Sequence, residues 1–186
     1  MRVHYNSPVI LTYTFLAIVV LLVDMVTSSQ FSKAYFVMRG VFDPSSLLSY
    51  IRLISHIVGH QDWSHLLSNY ALILLIGPVL EEKYHSGPLL IMMLITAVST
   101  GIINVLLLDT GLMGASGVVF MLILLSSVTN ISSGQIPLTF VLVVIVYLVR
   151  EILGMFSEDT ISQLAHIAGG ICGGIFGFLF RKRQIN

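Results

Sequence analysis

Four polar side chains stand inside otherwise apolar stretches of this 186-residue sequence: His65, Asn69, Ser116 and His166. Their residue types are those of acyl transfer. A serine hydroxyl is a weak nucleophile until a base takes its proton. An imidazole, with an ordinary pKa near 6.5, can take that proton and return it at neutral pH. The stretch Gly114-Ala115-Ser116-Gly117 opens an apolar segment. Ser116 therefore falls in a first helical turn, where free N–H groups and the positive dipole end point outward. Donors in that position can hold a developing negative oxygen. His65 and Asn69 are four residues apart, so both face one neighbour, and both can donate hydrogen bonds. Phe120 follows Ser116 by one turn on the same face. Plainer readings stand beside each of these. A serine among glycines packs helices together, a histidine in a span can be structural or carry protons, and a His–Asn pair can simply join two helices.

The elements that would position these groups follow from composition. Of the residues, 56% are hydrophobic and only 10% charged, with mean hydropathy +0.95. A water-facing domain carries about 25% charged residues, so a soluble enzyme and a disordered chain are excluded. Nine basic and nine acidic residues cancel, leaving no basic face for nucleic acid. What remains is an all-α, polytopic membrane protein forming one domain over residues 1–186 with no separate soluble domain. Its apolar runs are continuous rather than alternating, as helices require. Six runs approach the roughly 20 residues a crossing needs: Pro8–Val26, Trp63–Leu80, Pro88–Leu108, Ser116–Val128, Ile136–Leu153 and Leu164–Phe180. Pro8, Pro88 and Pro137 sit at span starts, where a missing N–H costs little.

An even number of spans puts both termini on one side. The terminal cluster Arg181-Lys182-Arg183 assigns that side to the cytoplasm. The starts of spans two, four and six then share the non-cytoplasmic half of the bilayer, which brings His65, Asn69, Ser116 and His166 to one depth. In span six, His166, Gly169, Gly170, Gly173 and Gly177 lie on one face, within roughly 60° of each other on either side. That stripe lets a partner backbone come very close. Span five, by contrast, reads Ile136 to Val149 without glycine, alanine or serine. Such bulky helices pack loosely and face lipid, which makes span five the expected lateral gate.

The loop from about Thr27 to Asp62 is long enough to be functional or to hold structure of its own. Its segment Leu47–Val58 is apolar but too short to cross, so it is expected at the interface or half-buried. Asp24, near the outer end of span one, is expected to reach the interface. His56, His60 and His65 lie close in sequence, but the first two fall in the loop and no His-Glu-x-x-His stretch is present; no metal and no cofactor is expected. No carboxylate pair lies within the spans, which argues against aspartyl chemistry. The single cysteine, Cys172, can form no internal disulfide.

Taken in order, Gly114-Ala115-Ser116-Gly117, Ala-His-x-x-Gly-x-x-x-Gly from Ala165 to Gly173, and His-x-x-x-Asn from His65 to Asn69 resemble the rhomboid intramembrane serine proteases of the bacterial GlpG type. The six-span count and the long first loop match as well. The resemblance implies a six-transmembrane-helix rhomboid bundle with a partly helical first loop. It implies that Ser116 is the nucleophile and His166 its base, with His65, Asn69 and the Ser116 N–H as the oxyanion hole. Phe120 falls where some members stack a tyrosine on the histidine. Arg52 matches the arginine of the family's Trp-Arg pair, although Ile51 replaces the tryptophan. The implied activity is an endopeptidase that cuts single-span membrane proteins in or near their transmembrane segments. The implied location is the bacterial inner membrane, with both termini cytoplasmic and the site facing outward. Two rivals stand beside it: a catalytically silent rhomboid-like protein that binds membrane clients, and a small transporter. The first would normally lack the serine or the histidine. The second would show repeats or a polar track across the bilayer.

Overall fold

The structure, a computed structural model, describes residues 4–108, 111–129, 138, 141, 142, 145, 146, 149 and 160–181. Seven helices are named among them: α1 (Pro8–Val26), α2 (Gln30–Tyr35), α3 (Leu47–Ser55), α4 (Trp63–Tyr84), α5 (Ser86–Leu107), α6 (Ser116–Thr129) and α7 (Thr160–Arg181). Four have the length and apolarity to cross a membrane: α1, α4, α5 and the Gln163–Phe180 part of α7. The chain is a multi-pass membrane protein of the all-helical class. Most of the fifth expected span, Ile136–Leu153, lies outside the described residues. Leu138, Val141, Leu142, Ile145, Val146 and Val149 are described there, and all are helical and exposed.

The shortest of the bilayer-scale helices, α6, is the centre of the bundle. Its 14 described residues rise about 21 Å. Val118, Val119, Phe120, Met121, Leu122, Leu124, Leu125 and Val128 are all buried. A helix apolar on every face is one that other helices surround.

The glycine stripe of α7 packs directly on α6. A Cβ at Gly169 would stand 2.0 Å from the Gly117 carbonyl oxygen, and one at Gly173 would stand 2.2 Å from that of Met121. At Gly177 it would meet the Val128 side chain at 2.6 Å. Here the two backbones touch without side chains between them. Gly174, off the stripe, has nothing within 4 Å.

On the opposite side of the bundle, α4 runs one turn past its expected end at Leu80. Just past that end, Glu81 is only 4% exposed. Its two oxygens accept the Val9 and Ile10 N–H groups at 2.9 and 3.0 Å, and the Ser86 hydroxyl donates to it at 2.7 Å. The carboxylate thereby satisfies free donors at the start of α1, the favourable end of that helix for negative charge. Close by, a Cβ on Gly77 would collide with Ile10 at 2.6 Å, so α1 and α4 also meet across a glycine.

The first loop is built on side chains bonded to backbone. Asp24 does not reach the interface. It is 3% exposed and accepts the Ser32 N–H at 2.7 Å, pinning α2 to the end of α1. Arg52 donates through its Nε to the Ala34 carbonyl at 3.1 Å, joining α3 to the end of α2. Along α3, Leu47, Tyr50, Ile51 and Ile54 are exposed while Ser49 is buried. This is the face pattern of a helix lying half in lipid, as its length and apolarity predict. Met38 and Leu112 exchange backbone hydrogen bonds of 2.9 and 2.8 Å, an isolated antiparallel bridge that ties the loop to the approach to α6.

Candidate active site

Ser116 begins α6 after a loop whose shape depends on glycine. Gly114 has φ +135°, a conformation L-residues rarely adopt. A Cβ there would also stand 2.7 Å from Cε1 and 2.8 Å from Nε2 of His65. The glycine thus does two things: it turns the chain into the helix, and it leaves room for an imidazole directly over the turn. The Gly114 N–H donates to the His56 carbonyl at 2.9 Å. Ala115, fully buried, presents its N–H to His60 Nε2 at 3.4 Å.

His166 arrives from α7. It is buried, and its ring lies 4.3 Å from that of Phe120, centroid to centroid, at 35° between planes. Phe120 is one turn past Ser116. In the same turn of α7, the Ala165 carbonyl oxygen lies 3.3 Å from where a Gly117 Cβ would be. The imidazole therefore sits against the first turn of α6, the turn that carries Ser116.

α4 supplies the other two sequence-predicted residues. Asp62 caps the helix by accepting the His65 N–H at 2.8 Å, which fixes the turn holding His65. The His65 ring lies over Gly114, and Asn69 reaches His60, whose ring in turn meets the Ala115 N–H. His65 and Asn69 differ in surroundings: His65 is partly exposed, whereas Asn69 is buried and its Nδ2 lies 3.2 Å from His60 Nε2.

Two residues that reading the sequence leaves in the loop belong to this site. His60 is fully buried. Its Nδ1 is 3.1 Å from the Val58 carbonyl, so Nδ1 carries the proton and Nε2 is an acceptor facing two N–H groups. Its ring also meets the His65 ring edge-on at 5.0 Å. Burial, and then the neighbouring His65, push its pKa down to about 4, against the Val58 carbonyl and the Asp62 carboxylate. His56 bonds through Nδ1 to the Arg52 carbonyl at 3.1 Å and through Nε2 to the Thr100 hydroxyl at 3.2 Å. Burial pushes its pKa down to about 4 as well, against the Arg52 and Leu53 carbonyls. The Thr100 methyl in turn lies 3.0 Å from the Gly117 Cβ position. Of the three histidines close in sequence, His60 and His65 thus meet ring to ring, while the His56 ring bonds elsewhere, to Arg52 and Thr100. Among the described residues no group of three or more His, Cys, Asp or Glu is arranged to hold a metal ion. The one signal for His60 in the sequence is that it stands five residues before His65, across the Asp62 cap.

The arrangement brings a helix-opening serine, a ring-stacked imidazole, a second imidazole and a buried amide around one loop. Comparisons with known proteins agree with it. The family model described as the Rhomboid domain matches residues 48–183, a stretch that holds all these groups. A curated relative, the "Rhomboid-like protein 11, chloroplastic" of Arabidopsis thaliana, is 25% identical over 139 residues. That match covers 66% of this chain, which spans about half (50%) of the relative's length. On the extent of the domain match and the geometry just described, this chain belongs to the rhomboid family.

Proposed function

We propose that this protein is an intramembrane serine endopeptidase that cuts single-span membrane proteins in or near their transmembrane segments. The observation that carries the reading is the stack of His166 on Phe120, one turn from Ser116, across a contact where glycines remove every intervening side chain. In this reading His166 takes the Ser116 proton as the hydroxyl attacks the scissile carbonyl, then returns it to the leaving amine. Ring stacking orients the base where a classical triad would use a carboxylate, so two residues suffice. The Ser116 N–H, with His65 and Asn69, would hold the tetrahedral oxyanion. Loss of one such donor typically costs about 100–1000-fold in rate. Water then releases the acyl group.

The substrate must offer an unwound strand, because a helical backbone keeps its carbonyls in hydrogen bonds. Substrates with helix-breaking or small residues near the outer end of their span fit this need. They would reach the site past span five, whose described residues all face outward, while the α6–α7 contact stays closed. Bulky-to-alanine changes in span five should raise cleavage of a membrane substrate; unchanged or lower cleavage would exclude the gate. The reading also has an orientation, with both ends of the chain on the cytoplasmic side of a bacterial inner membrane and the site open to the other side. The basic run 181–183 supports it.

A fluorophosphonate probe tests the chemistry. Labelling should occur at Ser116, vanish in Ser116→Ala and fall at least about 100-fold in His166→Ala. A client-binding protein without activity, or a transporter, would leave the wild-type chain unlabelled.

A further inference from the structure

One atom, His60 Nε2, faces both halves of the site. It lies 3.2 Å from the Asn69 Nδ2 on α4 and 3.4 Å from the Ala115 N–H, the peptide next to Ser116. We infer that His60 is a positioning residue for the oxyanion hole: as a neutral acceptor, it fixes which end of the Asn69 amide faces the reacting carbonyl and holds the Ser116 loop at the same distance. The inference rests on the protease reading and adds a residue to it.

A terminal amide has two faces that differ only in where the donor and acceptor lie. Turned one way, Asn69 gives one N–H to His60 and keeps the second free for the developing oxyanion. Turned the other way, its carbonyl oxygen would oppose the lone pair of Nε2 and would present lone pairs to a negative oxygen. The buried imidazole therefore penalises the inactive orientation twice. The tautomer that achieves this is set locally, because Nδ1 must keep its proton for the Val58 carbonyl 3.1 Å away. A ring held in place by that carbonyl and flanked by His65 and Tyr70, at centroid distances of 5.0 and 5.6 Å, cannot turn to offer a donor instead. Without this acceptor the amide could adopt either orientation, and a preorganised donor would be exchanged for a mobile one.

The test uses the full-length protein in vesicles of bacterial phospholipid, with a single-span substrate, and compares kcat with KM. Asn69→Ala should lower kcat by about 100-fold. His60→Ala should lower kcat by about tenfold or more while KM changes by less than about twofold. The double variant should cleave no more slowly than Asn69→Ala alone, since the two residues act through one group. His60→Gln, whose amide oxygen can stand near the Nε2 position, should recover most of the loss. Additive losses in the double variant, a change carried by KM, or a glutamine variant as slow as the alanine one would each overturn the assignment. Should His60→Ala fail to fold, the glutamine variant alone decides: its residual loss must disappear in the Asn69→Ala background, and persistence refutes the coupling. Ser116→Ala separates the two levels. Cleavage that survives it defeats the protease reading itself. Cleavage that it abolishes, together with unchanged kcat in Asn69→Ala, defeats only the role given to His60.

Discussion

Ser116 is held from two sides, and the two sides use different physics. On one side α7 lies on α6 backbone to backbone, with Gly169 and Gly173 set against the carbonyls of Gly117 and Met121. On the other side the first loop reaches the Ser116 turn through hydrogen bonds, with His56 accepting from Gly114 and His60 from Ala115. The first contact is dispersion and shape, repeated every turn, and has no give. The second is a pair of single polar bonds in a buried setting, one to the His56 backbone carbonyl and one to the His60 ring, of which the latter is sensitive to protonation. The rigid side sets where His166 stands. The bonded side sets where His60 and Asn69 stand, and the proposed protease chemistry needs both sides.

The largest effect should come from the rigid side. Gly169→Leu places a side chain where the Gly117 carbonyl already sits at 2.0 Å, and backbone cannot yield as a side-chain end can. We expect destabilisation of about 4 kcal/mol or outright failure to fold, read as thermal unfolding in detergent. Gly174→Leu is the matched control. It lies on the same helix with nothing within 4 Å, so its melting temperature should be unchanged or slightly raised by better helix propensity. Similar losses in both variants would mean that the stripe is not the closing contact.

Next in size is the junction of the two sides. Gly114→Ala adds a methyl 2.7 Å from the His65 ring at a φ of +135°. About 1–3 kcal/mol of backbone strain is expected, together with a displaced His65 and a fall in kcat of about 100-fold. A variant with wild-type kcat would remove His65 from the site.

The last effect, and the one confined to the bonded side, is pH dependence. His56 and His60 each titrate near 4 when folded, against 6.5 for a free imidazole. The folded state therefore binds fewer protons than the unfolded state between those values. Stability contributed by the neutral rings is complete above about pH 6.5 and declines as pH falls toward 4, by at most about 3 kcal/mol for each ring. Unfolding midpoints measured across this range should fall on acidification. His56→Gln should flatten the slope without touching Asn69. A wild-type profile flat from pH 7 to 4 would mean that the loop is not held by neutral imidazoles.

Much of this was legible in the residues. The spans, the glycine face of α7 and the paired facing of His65 and Asn69 follow from helical periodicity, which ties sequence spacing to direction in space. The Phe120–His166 stack agrees with that geometry. What periodicity does not reach was missed. The span expected to end at Leu80 continues through a buried Glu81, because its partners, the N–H groups of Val9 and Ile10, are about seventy residues away in sequence. Asp24 reads as interfacial for the same reason, its bond to Ser32 being formed by a turn that no repeat announces.

The sequence alone determined that this chain is a helical membrane protein, that His65, Asn69, Ser116 and His166 stand within its apolar runs, and which face of α7 can approach another helix. Those properties depend on composition and on the fixed rise and turn of the α-helix, so they are written locally. Only the tertiary structure decided that the His56 carbonyl and the His60 ring bond the turn before Ser116 and that the same ring meets the α4 amide. An irregular segment has no period from which direction can be read, and a buried imidazole finds its partners only when separate helices close around it.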